Sequence, residues 1–181
     1  MKLGKYIKTI SVILFSGAFL LSLNSFANSE KELLIASMKG DSGKVDSLIS
    51  AGINVNFSNG KGLTALMLAS LKGHDSIVSK LVNSAADLNQ KDSSGLTALM
   101  AACKQGHVSV VKTLIAKGAD VNAANSQGMT CLHMAAQGGK KGVVEVAIAN
   151  GADKSAKSSA GLTAADAANV SNHADIANIL K

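Results

Sequence analysis

Gly95-Leu96-Thr97-Ala98-Leu99-Met100 repeats, letter for letter, the stretch Gly62-Leu63-Thr64-Ala65-Leu66-Met67 that stands 33 positions earlier. The same interval of 33 leads on to Gly128-Met129-Thr130-Cys131-Leu132-His133 and then to Gly161-Leu162-Thr163-Ala164-Ala165-Asp166. Four copies at one spacing, with no insertion, define a repeat array. The units fall at about 29–58, 59–91, 92–124, 125–157 and 158–181. The first lacks the Gly-x-Thr turn and the last is shortened. End units of a stack differ in this way because each has a neighbour on one side only.

Within a unit every repeated residue has local work. Thr64, Thr97, Thr130 and Thr163 are placed as N-caps, their hydroxyls accepting from amides that a helix start leaves unpaired. Leu66, Leu99 and Leu132 then open an apolar face, with Ala69, Ala102 and Ala135 three residues on. Gly73, Gly106 and Gly139 end this first helix in the left-handed conformation, and Asn172 does so in the last unit. A second helix carries Ile77, Val78 and Leu81, matched by Val110, Val111 and Leu114, then Val143, Val144 and Ala147. Turn residues such as Gly118-Ala119-Asp120 lead to the next unit. In the first unit Ser29-Glu30-Lys31-Glu32 reads as a capping box. Helices of about two turns are unstable alone in water, so stability must come from stacking unit on unit.

Residues 1–27 read differently. Three lysines in the first eight residues precede an uncharged, mostly apolar run to Leu23, and Ser25 and Ala27 are small. These are the parts of a secretory signal, cleaved after Ala27. The run is too short for a spanning helix, and no cysteine stands directly after Ala27 for a lipid anchor. Cleavage leaves a domain at 28–181 and takes the net charge from +6 to +3 by removing three lysines. There is no arginine. A weakly basic chain without arginine does not read as a nucleic-acid binder. Lysine without arginine, beside many Asn and Ser, suggests a bacterial source.

Cys103 and Cys131 are the two cysteines. Export permits a disulfide, but the register argues against one. Cys131 is level with Ala98, five residues before Cys103, or about 7.5 Å of helical rise. Adding the lateral spacing of neighbouring units exceeds the roughly 7 Å that a bridge tolerates. Free, buried thiols are expected.

The repeated residues resemble the ankyrin repeat. Asp92 to Asn122 follows its pattern Asp-x-x-Gly-x-Thr-Pro-Leu-His-x-Ala-Ala-x-x-Gly-His, ending Gly-Ala-Asp-Val-Asn, except at the Thr-Pro-Leu-His core. The family proline is replaced by Ala65, Ala98, Cys131 and Ala164; its histidine survives only as His133, with Met67, Met100 and Asp166 in the other copies. The resemblance implies an all-α solenoid of stacked helix-turn-helix units with short hairpin-like loops. It implies a Thr130–His133 hydrogen-bond network. It also explains His74, His107 and His173 as structural, near a helix C-terminus.

No chemistry competes with that reading. The histidines keep no ligand spacing to acids or cysteines. Asp87-Leu88-Asn89 and Asp120-Val121-Asn122 begin like calcium loops, but lack the glycine and glutamate such loops require. There is no phosphate loop and no Gly-x-Ser-x-Gly elbow. Catalytic residues, cofactors and metals are therefore none.

What remains is the concave surface that the resemblance implies as a protein-binding face. Its candidate residues are Lys61, Leu63, Leu71, Lys72 and Lys91 in the second unit, and Ser94, Leu96, Lys104 and Gln105 in the third. The fourth adds Gln127, Met129 and Gln137. Leu63, Leu96, Met129 and Leu162 form an apolar ladder beside lysines, suited either to a protein partner with an acidic rim or simply to packing between adjacent hairpins. The expectation is a monomeric, non-catalytic, exported protein-binding module, periplasmic, with no nucleic-acid partner and no membrane insertion after signal removal. The alternatives are a secreted effector acting on host proteins and, in another class, a metal-binding or enzymatic protein.

Overall fold

The computed structural model describes residues 28–181; the signal expected at 1–27 lies outside them. Ten helices follow in pairs: α1 (28–39) and α2 (Ser42–Ser50), α3 (Ala65–Lys72) and α4 (Asp75–Asn83), α5 (Ala98–Gln105) and α6 (Val108–Ala116), α7 (Cys131–Gln137) and α8 (Lys141–Ala149), α9 (Ala164–Val170) and α10 (Ala174–Leu180). The extended structure among the described residues is a single antiparallel bridge, Ser58 to Thr64. Odd-numbered helices pack on odd and even on even, giving the expected all-α solenoid.

The caps follow the sequence closely. Thr64 Oγ1 accepts from the Met67 amide at 3.2 Å and Thr97 Oγ1 from that of Met100 at 3.3 Å. Gly73 and Gly106 close α3 and α5 with φ of 73° and 87°. Two details differ. The first helix already runs at residue 28, so Ser29 lies within it and is not its cap. And α7 stops at Gln137: Gly138 closes it at φ −82°, which leaves the left-handed turn to Gly139 at φ 68°.

One core runs the length of the stack. Leu66, Leu99 and Leu132 and the alanines beside them are buried, as are Val78, Val111 and Val144 from the second helices. Three polar devices join neighbouring units. At the loop tips the Ser93, Ser126 and Ser159 amides donate to the Lys61, Ser94 and Gln127 carbonyls, at 3.0, 2.9 and 2.8 Å. On the far side the Asn56, Asn89 and Asn122 side chains accept from the Asp87, Asp120 and Asp153 amides at 2.7, 3.0 and 2.8 Å. Between them lie the histidines. The His74 and His107 rings pack on Gly40 and Gly73, and a Cβ on those glycines would come within 2.8 and 2.5 Å of the ring. Nε2 of each faces a carbonyl of the preceding unit, Met38 or Leu71, at 3.2 Å. A carbonyl only accepts, so Nε2 carries the proton. These histidines are clamps between units, and their glycines are required twice over, for turn and for space.

The cysteines overturn the free-thiol expectation. Cys103 and Cys131 form a disulfide, with their Cα atoms 5.4 Å apart. Helices lying level and parallel could not bring together two residues separated by about 7.5 Å of rise, so the axes of α5 and α7 are not level and parallel. Small buried residues between them, Ala102, Ala135 and Ala136, permit the close approach. The bridge joins the sixth residue of α5 to the first of α7. Its register equivalents are Ser37 with Ala65, Ser70 with Ala98 and Ala136 with Ala164, all buried and all small.

Candidate functional site

The concave side is built from three rows of residues, each stepping by 33. The first row lies on the tips: Leu63, Leu96, Met129 and Leu162. The second lies at the ends of the first helices: Met38, Leu71, Lys104, Gln137 and Val170. The third stands three residues earlier on those helices, hence on the same face: Ile35, Leu68, Ala101, Met134 and Ala167. Every member of these rows lines one of three concavities. The central one, about 470 Å³, lies between the third and fourth units. One of about 380 Å³ lies between the fourth and fifth, and one of about 440 Å³ between the first and second.

Of the residues expected from sequence, Leu71, Ser94, Leu96, Lys104, Gln105, Gln127, Met129 and Gln137 are brought together around the central concavity. Leu63 lines the N-terminal one and packs against the core. Lys61, Lys72 and Lys91 are exposed and line none of the three. Lys91 has a structural duty, since its ammonium donates to the Ala124 carbonyl at 2.9 Å. The third row was missed from sequence. Each of its members reads locally as helix core, and only the repeat interval, followed from Ile35 onward, would have exposed it as a lining.

The tips hold their shape through Asx turns. Asn59, Asp92 and Asn125 each accept from the amides two and four residues on, so Leu63, Leu96 and Met129 are presented on a fixed backbone. This sets the electrostatics. Along the tips and first helices of units two to four, the charged residues are Lys61, Lys72, Lys91, Lys104 and Asp92. The Asp92 carboxylate is engaged by the Ser94 amide at 2.8 Å, the Ser94 hydroxyl at 2.7 Å and the Leu96 amide at 2.9 Å. Of these charged residues, Lys104 lines the central concavity, and no Asp or Glu lines it.

At its C-terminal end, His133 is buried. Nε2 meets the Leu162 carbonyl at 3.0 Å and so bears the proton, leaving Nδ1 to accept from the Thr130 hydroxyl at 3.0 Å and amide at 3.3 Å. The expected Thr–His network is present, and it ties α7 to the next tip. In the last unit Asp166 stands in the histidine's place. It accepts from the Thr163 hydroxyl at 2.7 Å and amide at 2.9 Å. Those bonds, the hydroxyl first, hold its carboxyl below the ordinary carboxylate value of 3.8.

Among the described residues no cluster of three or more His, Cys, Asp or Glu could hold a metal ion. No helix among them is long and apolar enough to cross a membrane. What the groove offers is apolar surface, amide side chains and lysines.

Comparison with known proteins agrees with the geometry. The family described as ankyrin repeats (3 copies) matches residues 33–125, and ankyrin repeats (many copies) matches 114–168. No curated protein matches the chain. Ankyrin repeats are generally protein–protein interaction modules. The first match alone covers more than half of the sequence, and the stacked pairs, glycine turns and Thr–His network accord with it: the chain belongs to the ankyrin-repeat family.

Proposed function

We propose that this chain is a non-catalytic binding module that is exported by residues 1–27, works as a monomer in a bacterial periplasm, and holds another protein in its concave groove. The observation that carries the binding reading is the half-buried tip ladder. Leu96 and Met129 line the central concavity, yet neither belongs to the core that holds the units together. Apolar side chains presented on a fixed backbone beside Lys104 suit the centre of a protein interface. Export is supported by the signal-like leader and by the disulfide, which persists in oxidising compartments.

A photo-crosslinking residue placed at Leu96, in cells expressing the full chain, is expected to capture a discrete protein. The same group at Lys112, exposed on α6, is expected to capture none. Leu96→Lys should abolish capture elsewhere in the groove while shifting the melting temperature little. A large loss of stability in that variant would make the ladder core and withdraw the binding role. Fractionation tests the location: mature protein found in the medium and not in the periplasm would favour the secreted alternative.

A further inference from the structure

The floor of the groove is uneven in a way that specifies its occupant. Along the third row the side chains run Ile35, Leu68, Ala101, Met134, Ala167. At the N-terminal end Ile35 projects, 48% exposed, beside Met38 of the second row at 42%. Ala101 and Ala167 are 1% and 9% exposed, recessed beneath the side chains around them. Each alanine floors a cavity, the central one at Ala101 and the C-terminal one at Ala167. The two recesses differ in charge. Lys104 borders the first. The second is bordered by Leu162 and Val170, which is 75% exposed. The nearby carboxylate of Asp166 is engaged by Thr163.

We propose that the groove takes an acidic peptide segment of its partner, with one bulky apolar side chain in the Ala101 recess and a second in the Ala167 recess. This rests on the groove being the binding face. The recesses lie two units apart, so with helices spaced 8–10 Å the two anchors stand roughly 16–20 Å apart. That is about 5–6 residues of extended chain or about 11–13 of helix. The acid belongs beside the first anchor, over Lys104, and the second recess is lined by no Asp, Glu or Lys. An acidic segment is favoured because Lys104 borders the central recess and neither recess is lined by Asp or Glu.

The probe is a random linear peptide library displayed on phage, selected against the purified, oxidised protein. Two variants use side chains that the chain already carries at the same register: Ala101→Leu, as at Leu68, fills the first recess, and Lys104→Gln, as at Gln137, removes its charge. Enriched peptides should carry two large apolar residues at one of the stated separations, with Asp or Glu next to the first. Ala101→Leu should weaken them by about tenfold or more, as blocking an apolar pocket does. Lys104→Gln should weaken them by about two- to fivefold and flatten their salt dependence. Circular dichroism establishes that each variant is folded; were Ala101→Leu unfolded, Lys104→Gln would decide alone. No enrichment, basic consensus peptides, or binding indifferent to the folded variants would overturn the inference. If crosslinking from Leu96 still captured a partner, the groove reading would stand without it. Peptides that bind Leu96→Lys unchanged would remove the groove reading itself.

Discussion

Ala85 is where the repeat pattern and the backbone disagree. Its register equivalents Gly52, Gly118 and Gly151 all turn the chain with positive φ, and Ala85 does so at 61°. A left-handed alanine costs roughly 1–2 kcal/mol, part of which is recovered because glycine gains more freedom when unfolded. Ala85→Gly should therefore stabilise the protein by about 0.5–1 kcal/mol, read as a rise in urea midpoint at unchanged slope. Asn172 also has positive φ, yet it needs no such repair. The glycines at Gly40, Gly73 and Gly139 are pressed by a histidine ring from the following unit. Among the described residues no ring from another unit presses on Asn172, so its Cβ can stand there, and asparagine tolerates the turn. Asp166 carries a pH dependence. Its folded pKa lies below 3.8, so the stability it contributes is fully present above that value and is lost as pH falls through the folded one. Asp153 is depressed in the same sense by Ser155. Asp166→Asn should unfold earlier than the parent chain at pH 6, and the gap should close as pH falls below about 3.8. A gap that stayed constant would assign the carboxylate no role in the cap.

At the scale of helices, the disulfide is the element least legible in the sequence. A fixed interval of 33 gives which residues are equivalent, but not how far one helix inclines against the next. Pairing of Cys103 with Cys131 depends on how α5 and α7 lie against each other, which the interval does not fix. The caps, core leucines and Thr–His network were legible because each is a local or register-bound requirement. The third groove row was not, because small and large apolar residues at one helix position look alike until the cavity over them is seen. The bridge closes a loop with a sequence separation of 28, and a loop of that length restrains the unfolded chain by about 3–4 kcal/mol. Cys103→Ser with Cys131→Ala reproduces the buried pair Ser70 and Ala98 one interface earlier. That variant should fold to the same helix content and lose about 3 kcal/mol in urea unfolding. Reductant should lower the parent chain towards it and leave the variant unchanged. If reductant shifted both equally, the loss would not belong to the bridge.

Among the described residues, those that join units change character in the first and fifth units. The position held by Ser37, Ser70, Cys103 and Ala136 is buried in four units and becomes exposed Asn169 in the fifth. The position held by His74, His107, Lys140 and His173 is Asp41 in the first unit, where it caps α2 by accepting from the Lys44 amide at 2.9 Å. Polar end faces keep such a stack from growing. Among the described residues, the first and fifth units each pack against a neighbouring unit on one side, the inner units on two. Opening should therefore begin at the ends, α1–α2 and α9–α10, while α5–α8 open last because the disulfide holds them together. The His133–Leu162 bond sets the order at the C-terminal end. With the Ser159–Gln127 bond and the His173 ring on Gly139 it ties the fourth unit to the fifth, so its rupture should accompany release of α9 and α10. Native-state hydrogen exchange is expected to show protection rising from both ends towards α5 and α7. Loss of the disulfide should lower protection in α5–α8 more than in α3. Uniform protection along the chain would mean that all five units open together, and the nearest-neighbour account of this stack would fail.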